Sequence, residues 1–187
     1  MIYLIRHTTP DIPQGVCYGH SDIEVATSFN AEKNRVVEKL TPNSHIEVIS
    51  SPLIRCKKLA KAIFPFRPIE KDSRLKEMDF GEWEMKKWAA IDQDVLKEWG
   101  DNFVADKPHG GESFQDLYDR VSDFWNSLDH SSKDYAIVTH SGVIRCILAQ
   151  LLGIPLSKAF VLKIAYAEVI KIEALGDDNY TVEFVQN

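Results

Sequence analysis

Three short apolar runs in this chain each end on residues able to bind an anion or move a proton. Residues 2–5 lead into Arg6 and His7. Residues 46–49 lead into Ser50 and Ser51, with Arg55 a turn later. Residues 135–139 lead into His140, Ser141 and Gly142. Arginine stays charged and presents a planar fork that matches phosphate oxygens in pairs. A neutral imidazole nitrogen can attack phosphorus and leave a phosphoenzyme. A second imidazole can donate to an equatorial oxygen as charge builds there. A departing alkoxide needs a proton, so a carboxylic acid belongs nearby. Glu77 is the best candidate, in Leu75-Lys76-Glu77-Met78-Asp79-Phe80-Gly81-Glu82-Trp83. A phosphate beside it would repel its anionic form and keep the acid protonated for that role. Asp79, Glu82 and Glu84 are carboxylates in the same stretch that a solvated surface would also explain.

These residues converge only if the apolar runs are neighbouring strands. Each run is short and β-prone, and amphipathic segments separate them. Residues 27–40 place Phe29, Val36, Val37 and Leu40 on one helical face. Ser51 and Pro52 suit the start of a helix that carries Leu53, Leu59, Ala60 and Ile63. Residues 83–99 suggest a helix bearing tryptophan and lysine, followed by a loop over 100–111. Ser113 with Asp116 predicts a helix start ahead of Phe114, Leu117, Val121, Phe124 and Leu128. A further helix follows Ser141-Gly142. Residues 160–175 and 180–186 suggest two strands turning at Gly176-Asp177-Asp178-Asn179, paired as a hairpin at a sheet edge. Strands alternating with helices predict an α/β three-layer sandwich, with a largely parallel central sheet flanked by helices and this C-terminal hairpin. Ligands of such sheets bind at the carboxyl ends of the strands, where the three junctions lie.

Bulk properties narrow the classes. The 187 residues fit one domain over 1–187, and a hydrophobic share of 44% argues against disorder. A net charge of -6 argues against a general nucleic-acid or anionic-membrane binder. Cys17, Cys56 and Cys146 are odd in number and contain no Cys-x-x-Cys pair, so neither zinc nor a disulfide framework is expected. No metal or other cofactor is called for. A reducing cytoplasm fits these cysteines, and no signal peptide or membrane-length apolar run is visible. The C-terminal hairpin or the tryptophan-bearing segment could pair subunits in a homodimer.

Five motifs resemble the histidine phosphatase superfamily, in its phosphoglycerate-mutase-like branch. They are Leu4-Ile5-Arg6-His7-Thr8, Ser50-Ser51-Pro52-Leu53-Ile54-Arg55-Cys56, Leu75-Lys76-Glu77 with Phe80-Gly81-Glu82-Trp83, Gly110-Gly111-Glu112-Ser113, and Val138-Thr139-His140-Ser141-Gly142. They stand in the family's order, and together they are specific where each alone would be weak. The resemblance implies that His7 carries the phosphoryl group, that Arg6, Arg55 and His140 complete its pocket, and that Glu77 donates and then accepts the proton. Two features depart from the pattern. Thr8 stands where the family usually has glycine, and the family's asparagine in the following loop has no match. The hydroxyls of Thr8, Thr9 or Ser21 are expected in that role, with Ser141 also near the substrate.

The compact length, Cys17-Tyr18-Gly19-His20-Ser21-Asp22 and Lys76-Glu77-Met78-Asp79-Phe80-Gly81 are similar to the α-ribazole phosphatases, which implies a small phosphate monoester, α-ribazole 5'-phosphate, as substrate. Trp83, Trp88, Trp99 and Phe103 could form an aromatic wall for its base. A mutase or sugar-bisphosphate phosphatase of the same mechanism is an alternative. So is a non-catalytic phosphate or phosphopeptide module, although such a module need not keep both histidines.

Overall fold

The computed structural model describes residues 1–176 and 179–186. Its six strands form one mixed sheet in the order β3-β2-β4-β1-β5-β6. Strands β1 (Ile2–Arg6), β2 (Glu47–Ser50), β3 (Ile69–Lys71) and β4 (Tyr135–Thr139) run parallel. β5 (Val169–Gly176) runs antiparallel to β1, and β6 (Asn179–Phe184) antiparallel to β5. The C-terminal hairpin is therefore present, although Asp177 and Asp178 of its expected turn lie outside the described residues.

Side-chain alternation along the central strands builds the three layers. Ile2 and Leu4 of β1, with Tyr135 and Ile137 of β4, enter one core with helices α4 (Phe114–Asn126) and α5 (Ser141–Leu152). Tyr3 and Ile5, with Ala136 and Val138, enter the opposite core with α1 (Phe29–Lys39) and α2 (Ile54–Ile63). Both faces of β1 and β4 are covered, which explains why these strands read as continuous apolar runs rather than alternating ones. β1 and β4 are paired in register from Ile2–Tyr135 to Arg6–Thr139, so His7 and His140 leave the sheet side by side. β2 lies on the other side of β4, which brings Arg55 to the same edge.

Several local expectations are corrected. Ser51 does not cap α2; the cap position belongs to Leu53, and the Ser51 hydroxyl lies 2.8 Å from His140 Nε2. Residues 83–99 do not form one helix. They break into 3₁₀ turns at Gly81–Trp83 and Trp88–Ala90, followed by α3 (Gln93–Asp101). The loop before residue 22 competes for the backbone there. Met85 N–H donates to the Cys17 carbonyl, Trp88 N–H donates to the Gly15 carbonyl, and Cys17 N–H donates to the Lys86 carbonyl. Met85 adopts a left-handed conformation, at φ 64°, to make this pairing. Val37 is exposed rather than part of the α1 core face. The last strand pair starts later than its composition suggested, because residues 156–161 form 3₁₀ turns and a turn at Tyr166 precedes β5. β3 was not expected; it is three residues long, partly exposed and carries no period-two pattern.

The start of α4 behaves as expected. The Ser113 hydroxyl accepts from Asp116 N–H, and the Asp116 carboxylate accepts from Ser113 N–H, closing a capping box. Ser113→Ala should lower stability by about 1 kcal/mol, a melting-temperature drop of roughly 2–4 °C. Thermal denaturation followed by circular dichroism would measure it, and no shift would mean that Asp116 alone holds this helix end.

Candidate active site

His7 is the first residue after β1 and is buried. Its Nδ1 lies 2.7 Å from the Thr8 carbonyl oxygen, which can only accept. Nδ1 therefore carries the proton, and Nε2 keeps its lone pair. Burial, then the charges of Arg55 and Arg6, push the imidazole well below its ordinary pKa of 6.5. The ring is neutral and nucleophilic at physiological pH.

His140 lies beside it, the two rings meeting edge to face with centroids 5.1 Å apart. Burial, then Arg55, His7 and Arg6, hold His140 neutral as well. Its Nε2 is fixed by Ser51 Oγ, and Cys56 Sγ lies 3.4 Å from the same nitrogen. Burial raises the Cys56 thiol to about 12, so it stays protonated.

Arg55 is fully buried yet has no carboxylate partner among the described residues. Its terminal nitrogens donate to the carbonyls of Ser21 at 2.8 Å and Gly19 at 2.6 Å. Arg6 donates from one terminal nitrogen to the Ile164 carbonyl. The Nε atoms of both arginines and the Thr8 hydroxyl are buried without a hydrogen-bond partner. Buried donors in native proteins almost always find acceptors, so three unmatched donors around a neutral imidazole define an anion cradle.

Glu77 sits across the N-terminus of α5. Its carboxylate accepts from Gly142 N–H at 3.1 Å and from the Ser141 hydroxyl at 3.3 Å, and it lines a cavity of about 190 Å³ together with Arg6, His7 and Ser141. A Cβ at residue 142 would collide with this carboxylate, which is why glycine stands there. Arg120 holds the approach to Glu77. It donates to the carbonyls of Arg74, Lys76 and Glu77 and pairs with Glu112.

The remaining sequence candidates divide. Thr8 and Ser141 lie at the cradle and the cavity. The Thr9 hydroxyl and N–H are engaged with Glu32, and the Ser21 hydroxyl donates to Glu84 at 2.5 Å. Of the expected aromatic wall, only Trp88 lines the cavity, alongside Phe80, Phe114 and Phe160. Trp83 and Trp99 meet edge to face with centroids 5.4 Å apart, and Phe103 packs against Phe114 and Phe160. Cys17 is buried, and burial together with Glu84 raises its thiol to about 12.

Glu84 was weighed in the sequence only as a surface charge, and the structure gives it an organising position. Its carboxylate accepts from the N–H groups of Gly19, His20, Ser21 and Phe80. Burial alone would raise its pKa, but the hydrogen bonds from Ser21, Gly19 and Phe80 outweigh it and hold the group below the usual carboxylate value. Gathering these amides turns the Gly19 and Ser21 carbonyls inward onto Arg55. A glycine turn ahead of a distant carboxylate was the signal available in the sequence, and it is a weak one.

The histidine phosphatase superfamily (branch 1) model matches residues 2–187, and the chain belongs to that superfamily. Phosphoserine phosphatase 1 of Hydrogenobacter thermophilus is 28% identical over 170 residues, covering 84% of this chain and 78% of that one. The adenosylcobalamin/alpha-ribazole phosphatase of Escherichia coli is also 28% identical, over 163 residues that cover 82% and 80%. Among solved structures, the alpha-ribazole phosphatase from Shigella flexneri superposes with a TM-score of 0.89 at 23% identity. It covers 100% of this chain and 96% of that one, a likeness of fold. The family and these relatives support phosphatase activity. Among the described residues, no helix is long and apolar enough to cross a membrane, and no group of three or more His, Cys, Asp or Glu side chains is placed to hold a metal ion.

Both buried histidines bind a proton less readily folded than unfolded. Between 6.5 and their depressed folded values, the unfolded chain holds the extra protons, so stability falls as pH falls. The loss should be on the order of 1 kcal/mol per pH unit for each histidine below 6.5. Urea unfolding across this range would show it, and His7→Gln should flatten the slope. An unchanged slope in that variant would mean that His7 is not buried neutral.

Proposed function

We propose that the chain is a metal-independent phosphomonoesterase that works through a phosphohistidine at His7. The observation that carries this is the His7 ring itself, held with Nδ1 protonated and Nε2 free between two arginines that have unmatched donors. Nε2 attacks phosphorus, and the bond to the leaving oxygen breaks. Glu77 gives that oxygen its proton. A water molecule then attacks the phosphohistidine, Glu77 takes the water's proton, and the P–N bond breaks to release inorganic phosphate. Arg6, Arg55 and Thr8 hold the phosphoryl oxygens. His140 donates to one of them as charge develops. The three buried, unpaired cysteines fit a reducing cytoplasm.

For the substrate, α-ribazole 5'-phosphate is the leading candidate. The cavity beside His7 is walled by Phe80, Trp88, Phe114 and Phe160, surfaces suited to a flat aromatic base, and the relatives include enzymes named for that substrate. A second reading rests on Arg145. This half-buried guanidinium lines the same cavity and stacks on Phe160 at 4.8 Å. Its hydrogen bond among the described residues, to the Leu162 carbonyl, comes from Nε. A cation so placed favours a leaving group with its own anion, as in phosphoserine or a phosphoglycerate derivative. A mutase would use the same first step, but would pass the phosphoryl group to a second hydroxyl instead of water.

Phosphate release in EDTA should be measured from α-ribazole 5'-phosphate, phosphoserine, 3-phosphoglycerate, fructose 2,6-bisphosphate and p-nitrophenyl phosphate. Hydrolysis should survive the chelator and be lost in His7→Ala. Turnover near wild type in that variant would remove His7 as nucleophile. Preference for α-ribazole 5'-phosphate that persists in Arg145→Met would support the first substrate. Preference for phosphoserine or 3-phosphoglycerate that collapses in the same variant would support the second.

Glu77→Gln should slow alkyl phosphates by about 10²–10⁴-fold, the usual share of a general acid. It should slow p-nitrophenyl phosphate much less, because that leaving group needs little protonation. Equal losses would move the acid role to another carboxylate.

A further inference from the structure

The anion cradle has a roof that neither the family motifs nor the expected loop hydroxyls supply. Tyr166 lies against the Arg6 guanidinium, with Cζ 3.9 Å from the ring centroid, and its ring centroid is 5.6 Å from that of His7. Tyr18 faces the Arg55 guanidinium at 5.4 Å and lines the cavity with Arg6 and His7. The two phenol oxygens, from residues far apart in the chain, meet at 2.6 Å. Each ring thus covers one of the arginines that flank the nucleophile, and the tips join between them.

Both arms are held from outside the pair. Tyr18 precedes Gly19, whose N–H is bound to Glu84 and whose carbonyl accepts from Arg55. Tyr166 precedes Ala167, whose left-handed backbone, at φ 57°, lets its N–H donate to the His7 carbonyl. A non-glycine residue in that conformation carries a local energetic cost, and the surrounding contacts must hold it there. The cost is accepted at the turn that carries Tyr166 back over His7.

We infer that Tyr18 and Tyr166 act as one shared hydroxyl donor to a non-bridging oxygen of the bound phosphoryl group. This rests on the phosphatase reading above. Two hydroxyls bonded to each other use one proton between them and leave the second free to donate. Thr9 and Ser21 have committed their hydroxyls to Glu32 and Glu84, which leaves Thr8 as the free loop hydroxyl, and the tyrosine pair adds a second hydroxyl donor beside it. Burial, then the bond to Tyr166, raises the pKa of the Tyr18 phenol, which stays protonated and able to donate.

The test is inhibition by orthovanadate, an oxyanion that takes up the geometry of the transferring phosphoryl group. Turnover of p-nitrophenyl phosphate would be followed in the wild type, Tyr18→Phe, Tyr166→Phe and the double variant. Phenylalanine keeps each ring on its arginine and removes only the hydroxyl. The double variant should weaken vanadate inhibition by about 10-fold, the worth of a hydrogen bond to a charged group. Turnover number should fall with it. Each single variant keeps one phenol whose proton is no longer used by its partner, so each should lose less than the double variant, and the two single losses should not multiply to the double loss.

Vanadate constants within about twofold of wild type in the double variant would overturn the inference, since a packing role survives in phenylalanine. Single losses that multiply to the double loss would also overturn it, because they would mean two independent donors. Melting curves would verify that all three variants fold. A wild type insensitive to vanadate and inactive on every phosphate ester would overturn the phosphatase reading along with this one. A vanadate-sensitive wild type with indifferent phenylalanine variants would overturn this one alone.

Discussion

The site depends on positive charge buried without negative charge to match it. Arg55 is sealed from solvent and its partners are neutral carbonyls; Arg6 lies beside it under a tyrosine ring. An unmatched buried cation is costly, and the fold tolerates it here because carbonyl dipoles and aromatic faces supply partial compensation. The same charge accounts for much else in the site. It helps keep both histidines neutral and leaves donors pointing at an anion that is not part of the chain.

Such a cradle needs its carbonyls aimed inward, and that orientation comes from a distance. Glu84 collects the amides of residues 19–21 from behind; the peptide group that gives it the His20 N–H turns its Gly19 carbonyl to Arg55, and the Ser21 carbonyl follows at the end of the same turn. Arg120 does the complementary work for Glu77, binding the carbonyls that precede it while Glu112 neutralises the guanidinium. Glu77 and the Arg55 cradle are thus each set by a half-buried ion one layer further out. The two devices share the segment from Glu77 to Glu84, which carries Glu77 at one end and the loop-binding carboxylate at the other.

Arg6, His7, Arg55 and His140 were legible because they end or follow strands that the sequence shows as unbroken apolar runs, while Glu77 was legible from the need for an acid and from its motif. The order of the five motifs supported all of them together. The residues that position them were not legible. Glu84, Arg120 and Tyr166 act across long stretches of chain on backbone groups or rings, and such contacts leave no local pattern. The segment from 83 to 99 has helical composition, yet its amides bond to the loop at 15–17, so tertiary pairing overrode local preference. Thr9 and Ser21 were plausible by type and proximity, and Glu32 and Glu84 engage their hydroxyls.

The register that joins β1 to β4 has a kinetic meaning. Ile2 pairs with Tyr135, and Tyr3 also pairs with Lys171 of β5, so the first strand of the chain is closed on both sides by partners made much later. A growing polypeptide emerging from the ribosome holds His7 long before it holds the neighbours that bury it. Until residue 140 and then residue 166 arrive, His7 is an ordinary exposed imidazole near neutrality, and the arginine beside it is hydrated. High contact order of this kind slows folding, because the chain must close large loops before the contacts reward it. Chemical competence therefore appears late and all at once, when the last strands dock against the first.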